Sequence, residues 1–195
     1  MKIGVLALQG AVAEHIKMIE SAGAEGVVVK KTDQLPDLDG IIIPGGESTT
    51  IGKLMRDYGF IEAIRTFYEQ GKPVFGTCAG LIILADEIVG QEQAHLQLMN
   101  MKVQRNAFGR QRESFETELA IKGIEERVRA VFIRAPLIKE VGAEVDVLST
   151  HNGEIVAARQ GRLLAASFHP ELTNDYRMHQ YFLDMVKEAK SSSVQ

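Results

Sequence analysis

The chain has 195 residues, 45% of them hydrophobic and 25% charged, which is the balance of a globular protein long enough to bury one substantial core. A formal net charge of −4 argues against a nucleic-acid binder, and no stretch approaches the ~20 apolar residues that cross a membrane. The single cysteine excludes an internal disulfide and suits a reducing, cytoplasmic setting.

The pattern predicts a buried strand over Lys2–Leu8; its apolar run stops at Gln9 with no cleavage site after it, so it does not read as a signal peptide. Val12, Ile16 and Ile19 recur at helical spacing and Gly23 stands where that helix ends. Val27–Val29 and Ile41–Ile43 are two further strands. Ile51, Leu54, Met55 and Tyr58 mark a helix with Ser48 as its cap, and Ile61, Ile64, Phe67 and Tyr68 mark another. Residues Pro73–Thr77 form a fourth strand. Continuous apolar strands separated by helices predict an open, mostly parallel α/β sheet covered on both faces.

Later the pattern changes. Lys102, Arg105, Arg110 and Arg112 are followed by Glu113, Glu116 and Glu118, a solvated mixed face. Phe115 to Ile121 alternates as a half-exposed strand, and Val128–Ile133 and Val145–Leu148 are strands. Ile155–Ala158 and Leu163–Phe168 flank a hairpin turn at Gln160-Gly161. Met178, Phe182, Met185 and Ala189 make the buried stripe of a closing helix. The expectation is a single domain over residues 1–190 with a late antiparallel extension, and a frayed tail over 191–195.

Three stretches lie at strand ends, where open parallel sheets bind ligands. Gly76-Thr77-Cys78-Ala79-Gly80 has the Gly-x-nucleophile-x-Gly form of a strand-to-helix elbow, with Cys78 beside a helix N-terminus that favours a thiolate. An isolated motif of this form also fits a small packing cysteine. Phe168-His169-Pro170-Glu171 offers a base and an orienting carboxylate; in extended backbone His169 and Glu171 leave on the same side, with Pro170 stiffening the link. Pro44-Gly45-Gly46-Glu47-Ser48 lets backbone N–H groups approach an oxyanion, and the N–H of Ala79 supplies a second donor. His15, His95, His151 and His179 do not compete, and no Cys/His spacing suggests a metal. Together the three stretches supply nucleophile, base, orienter and oxyanion donors.

That combination resembles the triad-type class I glutamine amidotransferases, whose domain is flavodoxin-like. LQGAVAEH, PGGESTT, GTCAGLI, RNAFGRQ, FIRAP and SFHPELT resemble, more closely, the glutaminase subunits of pyridoxal 5′-phosphate synthases, from Lys2 to about Lys187. The resemblance implies that Cys78 attacks the side-chain amide of L-glutamine, with His169 and Glu171 completing the triad. It implies glutamine contacts at Gly46, Glu47 and Ser48, at Arg105, and at Ile133 and Arg134. It implies a partner, a separate (β/α)₈-barrel synthase in a hetero-oligomer, which activates the subunit and takes its ammonia. A flip of the Gly45-Gly46 peptide would suit such a switch. No cofactor is needed for glutamine hydrolysis. The alternatives are a glutaminase serving another barrel synthase, such as imidazole glycerol phosphate synthase, a redox or chaperone-like protein with an elbow cysteine, and a non-catalytic regulatory module, against which the intact triad argues.

Overall fold

The computed structural model describes residues 1–105 and 114–193; residues 106–113, with most of RNAFGRQ and both Arg110 and Arg112, and residues 194–195 lie outside the described residues. The first half runs β1 (Lys2–Leu6), α1 (Val12–Ser21), β2 (Glu25–Val29), β3 (Gly40–Ile43), α2 (Ser48–Asp57), α3 (Phe60–Glu69), β4 (Val74–Thr77), α4 (Ala79–Leu84) and β5 (Ala85–Ile88). The second runs β6 (Met99–Gln104), β7 (Ser114–Leu119), β8 (Val128–Ile133), β9 (Leu137–Val141), β10 (Asp146–His151), β11 (Glu154–Gln160), β12 (Leu163–Ala166) and α5 (Arg177–Ser193).

Among the described residues, ten strands form one sheet in the order β2-β1-β3-β4-β12-β11-β9-β6-β5, with β10 paired to β11. The run β2-β1-β3-β4-β12 is parallel throughout. From β12 the sheet turns antiparallel through β11, β9 and β6, and β5 closes it parallel to β6. The antiparallel part is therefore inserted in the sequence between two parallel neighbours, β4 and β12.

Strand side chains alternate between the two faces, so a buried strand feeds two cores. Ile41, Ile43, Val74, Leu163 and Ala165 pack on one face with Ile51, Met55, Ile64 and Phe67 of α2 and α3. Ile42, Phe75, Leu164 and Ala166 pack on the other with Ile19 of α1 and Phe182 and Met185 of α5.

Several expectations need correction. β1 stops at Leu6, not Leu8. β7 and β8 form a separate antiparallel ribbon instead of extending the main sheet. Ser191–Ser193, expected in a frayed tail, continue α5 to its end. The helix expected after Cys78 is α4, whereas β5, β6 and β9 had no sequence assignment; those three strands are four to six residues long. No helix among the described residues is long and apolar enough to cross a membrane.

For the site, the decisive feature is register. Ile43 pairs with Gly76, and Thr77 pairs with Ala166, so β3, β4 and β12 end side by side at one edge.

Candidate active site

Cys78 follows β4 directly and forms the N-cap of α4, with φ 52° and ψ −111°. A left-handed φ costs a non-glycine residue about 1–3 kcal/mol and persists only where surrounding contacts hold it. Two such contacts are the bond from Cys78 N to Ala166 O at 2.8 Å and that from Leu81 N to Cys78 O at 3.0 Å. The flanking glycines are steric requirements. A Cβ on Gly76 would run into the Gly80 carbonyl, and one on Gly80 into the Ile43 carbonyl oxygen. The cysteine is buried but for 7% of its surface, and its Sγ lies 3.8 Å from the Ile133 carbonyl oxygen, to which the thiol donates.

His169 and Glu171 follow β12. His169 Nδ1 lies 2.6 Å from Glu171 Oε1. The closure is not the extended one expected: Pro170–Leu172 form a single 3-10 turn, with His169 at its cap. The bond from His169 N to Val131 O at 2.7 Å fastens this turn to β8. Glu171 is fully buried at its side chain and His169 nearly so. Burial alone would lower the His169 pKa, but contact with Cys78 and with Glu171 reverses the sign and holds it well above the ordinary histidine value. The imidazole is thus kept protonated between Cys78 and Glu171, the surroundings in which a histidine can activate a cysteine nucleophile.

Gly45 separates nothing from these groups: a Cβ there would meet His169 Cε1 and Cys78 Cβ, at 2.8 and 3.4 Å. Gly46 has φ 137°, a conformation open mainly to glycine. The Gln9 carboxamide closes over this loop, accepting a hydrogen bond from Glu47 N at 2.5 Å. Ala79 is the first residue of α4, so its N–H has no partner within its own helix.

Glu47, not Ser48, caps α2. Its carboxylate accepts from Thr49 N at 3.1 Å and from Thr50 N and Oγ1, each at 2.7 Å. Burial is the largest single influence and opposes the charge, but the Thr50 hydroxyl and these amides together outweigh it and pull the pKa down to about 2. Ser48 is instead the first helical residue and is buried. Arg105 reaches the same corner, donating from Nη1 to Thr49 Oγ1 at 2.8 Å with Glu47 Oε1 3.8 Å away. Arg134 follows β8 with φ 45°, next to Ile133. The structure therefore gathers Cys78, His169, Glu171, Gly45 and Ile133 into one site, and joins Arg105 to Glu47 at the start of α2.

Three residues escaped the sequence reading. His15 in α1, His179 in α5 and Thr77 are all buried behind Glu171. The signal was present: His15 stands three and four residues before buried Met18 and Ile19, and His179 three and four before Phe182 and Leu183. A polar ring on an apolar stripe needs partners. Among the described residues no cluster of His, Cys, Asp or Glu could hold a metal ion.

Residues 5–188 match the SNO glutamine amidotransferase family. The chain is 76% identical over 190 residues to the pyridoxal 5′-phosphate synthase subunit PdxT of Niallia circulans, covering 97% of this chain and 100% of that protein. To the PdxT subunit of Halalkalibacterium halodurans it is 64% identical over 191 residues, covering 98% and 97%. A crystal structure described as a glutamine amidotransferase superposes with a TM-score of 0.91 at 49% identity, covering 95% of this chain and 98% of its own. PurLQS from Thermotoga maritima, at 17% identity and a TM-score of 0.69 over 100% and 99% of the two chains, shares the fold.

Proposed function

Because this chain belongs to the SNO glutamine amidotransferase family, we propose that Cys78, His169 and Glu171 are the catalytic triad of its glutaminase reaction. The enzyme hydrolyses L-glutamine to L-glutamate and ammonia and supplies the ammonia to the synthase subunit that makes pyridoxal 5′-phosphate. The observation that carries the triad is the 2.6 Å contact of His169 with a fully buried Glu171, beside a cysteine held at left-handed φ.

The Cys78 thiolate adds to the side-chain carbonyl carbon of glutamine, and the carbonyl oxygen becomes an oxyanion. Backbone N–H groups of the Gly45-Gly46 loop and of Ala79 face that charge, each such donor being worth ~10²–10³ in turnover. Protonated His169 gives its proton to the amide nitrogen, the C–N bond breaks, and ammonia leaves a glutamyl thioester on Sγ. Neutral His169 then takes a proton from water, whose oxygen attacks the thioester carbonyl. Collapse releases glutamate and restores the thiolate–imidazolium pair. Glu171 holds Nδ1–H throughout, so Nε2 is the nitrogen that exchanges protons.

Gly46, Glu47, Ser48, Arg105, Ile133 and Arg134 bind the glutamine. Arginine suits an α-carboxylate because its planar fork donates to both oxygens. Residues 1–190 work as one domain, the acceptor is a (β/α)₈-barrel synthase in a hetero-oligomer, and the complex is cytoplasmic. A glutamine-derived electrophile tests the chemistry: mass spectrometry should find the adduct on Cys78, and an enzyme inactivated with Cys78 unmodified would contradict this reading.

A further inference from the structure

The buried polar chain does not end at Glu171. Its Oε1 accepts the hydrogen bond of His169 Nδ1–H, while Oε2 is buried with no hydrogen-bond partner among the described residues. The group facing Oε2 is His15 Nε2, 3.5 Å away, both side chains being fully buried. The same nitrogen lies 3.2 Å from Thr77 Oγ1, on the residue before the nucleophile. On its other side, His15 Nδ1 lies 2.9 Å from His179 Nε2. Helices α1 and α5 thus each deliver one imidazole to the back of the triad.

Both rings are neutral. Burial first, then the nearby His179 and His169, drives the His15 pKa well below 6.5, and burial takes His179 to about 3. Each ring therefore has one N–H, and two proton arrangements fit the 2.9 Å contact between them. In the first, His179 Nε2–H donates to His15 Nδ1, and His15 Nε2–H points at Glu171 and Thr77. The atom left over is His179 Nδ1, a bare acceptor that is buried without a partner. In the second, both protons sit on Nδ1. That arrangement buries an unanswered N–H at His179 and aims the lone pair of His15 Nε2 at a carboxylate. A stranded N–H is the rarer and costlier defect, and a lone pair facing an anion is repulsive, so the first arrangement prevails.

Resting on the triad reading above, we propose that His15 is a positioning residue of the glutaminase. Its Nε2–H, fixed in that tautomer by His179, faces Glu171 Oε2 and the Thr77 hydroxyl, and this attraction keeps Oε1 aimed at His169. Catalytic histidines depend on such outer partners for ring orientation and tautomer.

Side-chain amides separate this from a packing role. The glutamine amide nitrogen reaches the position of Nε2, and that of asparagine reaches Nδ1. In the assembled glutaminase–synthase complex, His15→Asn and His15→Leu should lower kcat about tenfold or more while KM for glutamine stays within about twofold, and His15→Gln should keep about a third of wild-type kcat or better. Nitrogen NMR of the histidine-labelled full chain should find His15 protonated at Nε2 and bare at Nδ1; that measurement needs no variant to fold. The proposal is overturned by wild-type kcat in His15→Asn, by His15→Gln falling as far as His15→Leu in a cooperatively folded protein, or by a proton on Nδ1 of His15. Cys78→Ala and His169→Ala run alongside. Activity surviving in those removes the triad itself, whereas their inactivity with His15→Asn unaffected removes only the role of His15.

Discussion

Cys78 carries a backbone conformation that alanine tolerates no worse than cysteine, because both have a Cβ at φ 52°. Cys78→Ala should therefore fold normally and lose glutamine hydrolysis altogether, as followed by glutamate release and thermal melting. His169→Ala removes the only proton shuttle of the proposed reaction and should cost about 10²–10⁴-fold in kcat. Glu171→Gln keeps the size and one acceptor but loses the charge opposite the imidazolium, so its kcat should fall by a smaller factor, about ten to a hundred. A Glu171→Gln enzyme with wild-type turnover would reassign that carboxylate to structure alone. The cysteine was legible in the sequence because it is unique and sits between two glycines whose Cβ atoms would strike carbonyls. The 2.6 Å contact between His169 and Glu171 was anticipated as a pair, but for a reason the 3-10 turn replaces. His15 and His179 were passed over because their partners come from other elements, 164 residues apart in the case of their mutual contact.

The elbow and the α2 corner show how far an element can be read from its own residues. The apolar period of α2 was plain, yet its cap was assigned to Ser48 when the longer Glu47 side chain folds back onto Thr49 N and Thr50 N. Ser48 and Glu47 are both competent acceptors next to a helix start, and only the direction in which the chain leaves Gly46 decides between them. Glu47→Ala should lower unfolding free energy by about 1 kcal/mol in urea titration, nearly all of it from the cap, since the half-exposed Arg105 pair at 3.8 Å adds little. Unchanged stability would mean that water satisfies the first turn of α2 equally well. The end of α4 and the whole of β5 were illegible for a different reason: Leu81–Ala85 is one uninterrupted apolar run in which helix passes straight to strand, and such runs show no period. β6 and β9 pair with strands far along the chain, and nothing local marks their edges.

Across the whole molecule the parallel half was foreseeable from alternating strands and helices, whereas the separate β7–β8 ribbon depends on long-range pairing. The same long-range packing buries histidines, with a consequence in acid. His15 and His179 are neutral in the folded state, and burial together with Arg56 also lowers His95. The unfolded chain binds protons at these rings near pH 6.5 while the folded chain does not, so their stabilising contribution is complete above pH 6.5 and declines as pH falls toward the folded value, about 3 for His179. His169, with its raised pKa, works in the opposite sense: its contribution is complete below pH 6.5 and is lost as pH climbs. Comparing unfolding free energies at two pH values in the native chain and in His179→Gln cancels the His169 effect. Between about pH 7.5 and 5.5 the native chain should lose about 1.4 kcal/mol more than the variant, and parallel losses would show that His179 is not buried neutral. The whole-molecule proposal is production of ammonia at Cys78 for a synthase partner. It is tested most directly by glutamate formation at saturating glutamine, with the synthase subunit titrated into the native chain and into Cys78→Ala. Turnover in the native chain should be low alone and rise to a plateau with the synthase, and Cys78→Ala should show none at any synthase concentration; a plateau of turnover in Cys78→Ala is the contradicting result.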